Sequence, residues 1–204
     1  MTAGAVLVDE VGVLTAARAA LEWYPDDLWH HLVACDWVRL AQELPLMSRA
    51  GHVGDDRGSR VIAARLAQVV VHAAFLLHRR WPPYAKWVGT AFDRLPGAGE
   101  LRKSVDTVLD AAGWEARQAA FAGCLEALLR LQREAGLPAA PRAAVPFWDR
   151  PYLQPAPEIV DALLDGITDP AVRALPRGLG SIEQRTDTVD VLVDPARRRA
   201  ATAS

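Results

Sequence analysis

The sequence predicts an all-α protein, a multi-helix bundle around one central apolar helix at about residues 55–80. Apolar residues recur at helical spacing through most of the chain, and alternating strand patterns are nearly absent. Prolines and glycines separate the periodic segments. Six of the seven Trp lie between Trp23 and Trp114, which indicates that the first half carries the core. We therefore expect a helical-bundle core at residues 1–135 and a tail of short helices packing on it at 136–204.

The individual elements are predicted from their start and stop residues. Asp26 and Asp55 are favourable N-cap residues, because a carboxylate can accept from the free N–H groups of a first turn. Pro45 is expected to stop the second helix, because proline offers no backbone N–H. In order, the predicted elements are a strand at Ala5–Val8 and helices at Thr15–Trp23 (capped by Thr15), Asp26–Leu44, 55–80, Tyr84–Arg94, Glu100–Ala112, Glu115–Ala135, Pro157–Ile167 and Asp169–Leu175.

The segment between the core and the last helices is rich in proline. Residues 136–157 are predicted to be a linker that wraps over the surface, and Arg197–Arg199 a solvated tail. Cys35 and Cys124 have no paired spacing and are expected to be free, buried thiols.

Composition excludes several classes of partner. Lys+Arg 23 against Asp+Glu 25 gives a net charge of -2, which provides no electrostatic reason to expect nucleic acid or an anionic membrane. No run reaches the ~18 apolar residues of a membrane span, and Met1–Val13 lacks the basic start of a targeting segment. We therefore expect a soluble, cytoplasmic protein, with no cofactor and no metal, since His30 and His31 are adjacent and point in different directions.

Charged residues fall on the apolar faces of two neighbouring helices. Asp36 and Glu43 are seven residues apart, and Arg65, His72 and Arg79 repeat the same spacing in opposite charge. Gln68 joins Arg65 and His72 on one narrow stripe of the central helix. We expect these groups to be buried. An unpaired buried charge costs about 3 to 5 kcal/mol, so each requires a partner.

Two interpretations of this cluster remain open. In the first, Asp36 and Glu43 pair with Arg65 and Arg79, fix the helix register and do no chemistry. In the second, the cluster lines a cavity for a phosphate or carboxylate, with His72 as acid or base. The candidate catalytic residues are then His72, Glu43 and Asp36, and the candidate ligand-binding residues are Arg65, Arg79, Arg80, Tyr84 and Lys86.

Several short segments of the sequence resemble those of a known family. They are Trp23–Trp29, Val53–Arg60, Ala64–Leu66, Arg79–Phe92, Phe147–Pro151 and Gly180–Gln184. Together they are similar to an uncharacterised bacterial helical domain, domain-of-unknown-function family 4037. In its longer members, similar helices follow an N-terminal nucleotidyltransferase-like domain.

The resemblance implies an accessory role. No Asp-x-Asp or Asp-x-Glu pair follows the Gly178–Ser181 turn, so we expect no nucleotidyltransferase activity from this chain alone. The favoured expectation is an accessory or substrate-binding domain with a pocket for an anionic small molecule, partnered by a separate nucleotidyltransferase domain or a second copy. It predicts an exposed apolar patch around Val6, Leu7, Val8 and Trp23. The alternative, a stand-alone enzyme using acid–base chemistry, predicts a closed pocket containing His72.

Overall fold

The computed structural model describes residues 4–202 and confirms the all-α class. The helices are α1 (Val13–Ala20), α2 (Asp26–His52), α3 (Asp56–Leu77), a 3₁₀ helix (Ala85–Trp87), α4 (Val88–Phe92), α5 (Gly99–Asp110), α6 (Trp114–Glu134), α7 (Pro157–Asp165), α8 (Pro170–Arg173), α9 (Ile182–Arg185), α10 (Val189–Val193) and α11 (Pro195–Thr202). Two short strands, β1 (Ala144–Pro146) and β2 (Leu153–Pro155), pair antiparallel.

Helices α2 and α3 form an antiparallel hairpin at the centre of the molecule. Asp55 caps α3 as predicted, because its carboxylate accepts from the Gly58 N–H at 2.8 Å. The connection is only Val53–Asp55, and Gly54 adopts the left-handed conformation (φ 89°) that such a tight turn requires. Residues at equal distances along the chain from Gly54 therefore face each other across the two helices.

Helix α2 continues through Pro45, so the prediction that it stops at Leu44 was wrong. Proline removes one helical hydrogen bond, at a cost of about 3 kcal/mol. The continuation offsets this cost by burying Met47 and by packing Gly51 against Trp114 at the start of α6. A Cβ on Gly51 would lie 2.2 Å from the Trp114 Cβ, so only glycine allows this approach.

The N-terminal elements also differ from the predictions. Ala5–Val8 forms no strand, and α1 begins after Gly12 and ends at Ala20. Thr15 is not its cap; the Asp9 carboxylate instead accepts from the Thr15 N–H at 2.7 Å. Helix α2 begins at Asp26 with Pro25 in the cap position.

Two further helix ends are corrected. Helix α3 stops at Leu77, because Arg79 turns into the left-handed conformation (φ 50°) ahead of the prolines at 82 and 83. The predicted helix Tyr84–Arg94 is a 3₁₀ turn followed by the short α4.

The proline-rich segment is more ordered than a surface linker. It contains the β1–β2 hairpin, in which Val145 faces Gln154, and buries Ala143 and Ala156 against the core. Arg197–Arg199 are exposed, as predicted for a solvated tail, and they lie in α11.

Within residues 4–202, one helix passes a simple test for membrane crossing. Asp56–Leu77 has a mean hydropathy of 1.6 over its most apolar window, of which 56% is buried inside the protein. A core helix of a soluble protein passes the same test, and this one packs against α2, α5 and α6.

Candidate functional site

Three side-chain pairs cross the α2–α3 hairpin at equal distances from Gly54, and we call them the α2–α3 ladder. Glu43 forms an ion pair with Arg65, Asp36 with His72, and the Trp29 ring lies under Arg79. The Arg79 Cζ is 4.1 Å from the Trp29 ring centroid, a cation–π contact. Successive pairs are seven residues apart, about two helical turns. The seven-residue spacing that the charges of both helices share in the sequence is therefore explained by the antiparallel register of α2 and α3.

The middle pair is the most buried. The Asp36 side chain is 3% exposed, and its Oδ2 lies 2.7 Å from His72 Nδ1. Asp36 Oδ1 accepts from Gln184 Nε2 at 2.7 Å, and the same amide donates to the Leu32 carbonyl at 2.8 Å. Both carboxylate oxygens therefore have a partner.

His72 is held at one ring nitrogen only. Within residues 4–202, its Nε2 makes no hydrogen bond, and its side chain is 17% exposed. Burial favours the neutral imidazole, but the charge and hydrogen bond of Asp36, with the charge of Glu183, outweigh it and raise the pKa of His72 above 6.5. The arrangement favours the protonated form of the His72 ring, whose Nε2 edge faces outward.

Residues 178–184, which we call the covering segment, lie over the middle pair. Gly178 is left-handed (φ 79°), and a Cβ there would lie 2.8 Å from Val38 Cγ1 of α2. The Leu179 carbonyl is 3.3 Å from His31 Nε2. Gln184 closes the segment onto Asp36, at a sequence separation of 148 residues. The sequence indicated a turn and a family resemblance in this region, but neither predicted that the segment packs on α2.

The covering segment also contacts Tyr24 at the start of α2. Burial and the charge of Glu183 raise the pKa of Tyr24 to about 12, although a hydrogen bond with Ser181 opposes the shift. The phenol therefore stays protonated near neutral pH.

The Glu43–Arg65 pair lies at the surface. The Arg65 side chain is 49% exposed, and Glu43 also accepts from Arg39 Nε at 3.2 Å. Arg39 in turn donates to the Gln184 carbonyl at 3.1 Å, which links this pair to the covering segment. The expectation that Arg65 and Gln68 are buried was wrong, because both lie on the outer side of α3.

The other predicted ligand-binding residues do not join the ladder centre. Arg79 bonds Asp26 at 2.6 Å and not Asp36 or Glu43, which corrects the first interpretation. Arg80, Tyr84 and Lys86 are exposed beyond the end of α3. In the described chain, no hydrogen bond, ion pair or ring contact joins these three to His72, and Lys86 instead lies over the Trp87 ring at 5.3 Å.

Sequence reasoning missed a buried arginine at the opposite end of α3. Arg117 is 1% exposed; its guanidinium donates to the Ser59 hydroxyl, to Asp56 at 2.8 Å and to the Ala111 carbonyl at 3.2 Å. Ser59 lies in the first turn of α3. Its buried hydroxyl is an acceptor in a network that joins α3, α5 and α6, and no periodic signal distinguishes Arg117 from a surface arginine.

Two cavities lie away from the ladder. One of about 580 Å³ is bounded by the end of α2 and residues 147–152, and one of about 210 Å³ by the middle of α2 and by β2 and α7. Neither is lined by Asp36, His72 or Arg65. Among residues 4–202, no group of three or more His, Cys, Asp or Glu side chains is arranged to hold a metal ion.

Both cysteines are free and buried, as predicted. Burial raises the pKa of the Cys124 thiol to about 12, and burial together with the Asp36 charge does the same for Cys35. Neither thiol forms the thiolate that a nucleophile requires near neutral pH.

Comparison with known proteins bears on the hairpin region. Residues 1–88 match the model of a family described as Domain of unknown function (DUF4037). This first part of the chain resembles that family. The matched region contains α1, α2, α3 and the whole ladder. Neither the curated proteins nor the solved structures gave a match.

Proposed function

We propose that this protein is an accessory binding domain that docks onto a partner chain through residues 7–21, which we call the N-terminal segment. The observation that supports it is a set of large apolar side chains left in solvent. They are Leu7 (91% exposed), Val8 (75%), Val11 (83%), Val13 (67%), Leu14 (49%) and Leu21 (48%). Helix α1 has no buried residue. A concentration of large exposed apolar side chains in one short segment is typical of an interaction site.

The exposed segment agrees in part with the patch expected from the sequence. Leu7 and Val8 are exposed, whereas Val6 is half-buried. Trp23 is half-buried in an aromatic cluster with Tyr24 and Trp81, with ring centroids 5.1 to 5.3 Å from that of Trp23. The docking surface is therefore centred on α1 and the residues before it.

A nucleotidyltransferase-type catalytic domain is the partner we propose, because the family resemblance implies it. The aromatic cluster connects the N-terminal segment to the end of α3, since Trp81 Nε1 donates to the Glu22 carbonyl at 3.0 Å. A partner docked on α1 therefore approaches the residues on both sides of Trp81. Arg80, Tyr84 and Lys86 are exposed there. Arg80 and Lys86 supply the cationic groups, and Tyr84 a hydroxyl donor, for an anionic small molecule bound at the interface.

The partner proposal is tested by reconstitution. The full chain is mixed with a nucleotidyltransferase-type domain from the same genome, and complex formation is followed by size-exclusion chromatography with light scattering. We expect a 1:1 complex that the double variant Leu7→Asp/Val11→Asp abolishes. Val53→Asp is the matched control, because Val53 is 82% exposed but lies at the far end of α2. No complex, a complex unaffected by the double variant, or self-association that the double variant removes overturns the proposal.

A second function has one observation in its favour. Asp36 orients the His72 ring, and among the residues that the structure describes Nε2 has no hydrogen-bond partner; general acid–base catalysis requires such an arrangement. The hypothesis that the protein is an enzyme is tested by NMR, by following the His72 ring resonances during titration with inorganic phosphate and with acetate. Selective saturable shifts at His72 favour the enzyme. An unresponsive His72, together with an intact partner complex in His72→Gln, favours the accessory domain.

A further inference from the structure

The larger cavity, of about 580 Å³, combines aromatic and cationic side chains at the end of α2. Its volume falls within the ~300 to 1,000 Å³ of small-molecule pockets. We call it the hairpin cavity, after the β1–β2 hairpin whose loop bounds it. It is lined by Arg49, Val53, Phe147, Trp148, Asp149, Arg150 and Tyr152.

The base of the hairpin cavity is fixed by the surrounding helices. Gln118 of α6 accepts from the Leu153 N–H at 3.1 Å and from the fully buried Ser48 hydroxyl at 2.7 Å, and it donates to the Pro151 carbonyl at 3.2 Å. The Phe147 N–H donates to the Tyr152 carbonyl at 2.8 Å and closes the loop. One wall of the cavity is therefore held in place without a ligand.

An aromatic stack supports that wall. His52 lies parallel to the Trp114 ring (centroids 5.3 Å apart, interplanar angle 5°), and the Tyr152 hydroxyl is 3.0 Å from His52 Nδ1. The position of the Tyr152 ring follows from these contacts.

Two features of the cavity are not explained by core packing among the described residues. Trp148 is 81% exposed and adopts a left-handed backbone (φ 56°), a conformation that a bulky residue rarely takes. Such strain is concentrated at binding sites. Arg49 has no ion pair within residues 4–202, and Arg150 is paired only with its exposed neighbour Asp149 at 3.4 Å. The indole face and the Arg49 guanidinium are thus available to a ligand, and an anion can compete with the exposed Asp149 carboxylate for Arg150.

We infer that the hairpin cavity binds a planar aromatic molecule carrying one anionic group. The indole of Trp148 provides a stacking surface, and Arg49 and Arg150 provide charged hydrogen-bond donors for the anion. Both arginines are needed, because the Asp149 carboxylate also lines the cavity and the terminal carbonyls of α2 lie beside it, and both oppose a negative charge. The inference does not depend on the proposed docking, since it uses no residue of the N-terminal segment or of the ladder.

Calorimetric titration with adenosine monophosphate tests this site, with adenosine and inorganic phosphate as the two half-ligands. We expect the whole nucleotide to bind at least about tenfold more tightly than either half, because stacking and ion pairing both contribute. Trp148→Asn and Arg49→Met should each weaken binding by about tenfold. Asparagine accepts the left-handed conformation, so this variant removes the indole while keeping the loop.

The matched control is Arg94→Met, which should leave binding unchanged, because Arg94 is exposed, lies two residues after α4 and does not line the cavity. Unfolding of each variant is measured in parallel, so a loss of binding in a folded protein is assigned to the cavity. Three results overturn the inference: no binding of the nucleotide at millimolar concentration, equal binding of inorganic phosphate alone, or affinities that Trp148→Asn and Arg49→Met leave unchanged.

Discussion

The Asp36–His72 and Glu43–Arg65 pairs both join α2 to α3 and lie seven residues apart along each helix, yet their surroundings differ. Beneath the covering segment the Asp36 and His72 side chains are 3% and 17% exposed, whereas those of Glu43 and Arg65 are 19% and 49% exposed. The buried pair has a third partner in Gln184, and the surface pair shares Glu43 with Arg39. Helix register determines which side chains meet, but a segment far away in the chain determines how much water surrounds them.

The largest expected effect comes from removing the buried carboxylate. Asp36→Ala leaves the Gln184 amide and the His72 ring without their acceptor, so we expect the free energy of unfolding to fall by about 3 to 5 kcal/mol. Urea unfolding measures this loss. Glu43→Ala is the matched control at the surface pair, where about 1 kcal/mol is expected. Equal losses at the two positions would contradict the comparison.

A smaller effect is expected from releasing the covering segment alone. Gln184→Leu removes the donor to Asp36 Oδ1 and to the Leu32 carbonyl, and should lower the free energy of unfolding by about 1 to 3 kcal/mol. Modification of His72 by diethylpyrocarbonate should become faster in this variant. Gln154→Leu serves as the control, because the Gln154 amide makes one bond of 3.5 Å to Pro146. Unchanged His72 reactivity would show that the segment does not shield the pair.

The third prediction uses pH to separate the two pairs. The pKa of His72 is raised in the folded protein, so the stability it contributes is complete below pH 6.5 and is lost as the pH rises through the folded pKa. The difference in free energy of unfolding between wild type and His72→Gln should therefore shrink as pH rises above 6.5.

The difference measurement is needed because His30 acts in the opposite sense. Burial lowers the pKa of His30, so its contribution is lost as pH falls. An NMR titration of His72 with a midpoint below 6.5 would refute the assignment.

The smallest effect is expected at the surface pair. Arg65→Met should change the free energy of unfolding by less than about 1 kcal/mol, because an exposed ion pair is screened by water and salt. Measurements at low and high ionic strength should converge, since salt weakens exposed pairs more than buried ones. A loss comparable to that of Asp36→Ala would place Arg65 in a buried network instead.

The sequence predicted the fold class and the charged faces, but not which charges meet. Several registers satisfy a seven-residue repeat, and the choice depends on the length of the turn between α2 and α3. The rule that proline ends a helix placed the end of α2 at Leu44 and concealed the tight turn at Gly54. With that turn known, the pairing of Asp36 with His72 follows directly from counting along the chain.

The covering segment could not be predicted for a different reason. Residues 178–184 carry a glycine-containing turn and a helix cap, which are local signals that specify shape but not location. Their contacts with α2 depend on Gly178 fitting against Val38 and on one amide reaching Asp36. Tertiary packing of this kind leaves no periodic trace in the sequence.

The position of the covering segment has a consequence for the order of folding. The α2–α3 hairpin closes through a three-residue connection and needs few long-range contacts, so it is expected to form early. Gln184 must return across 148 residues to reach Asp36. During synthesis, the His72 side of the α2–α3 hairpin therefore remains uncovered until residue 184 has left the ribosome.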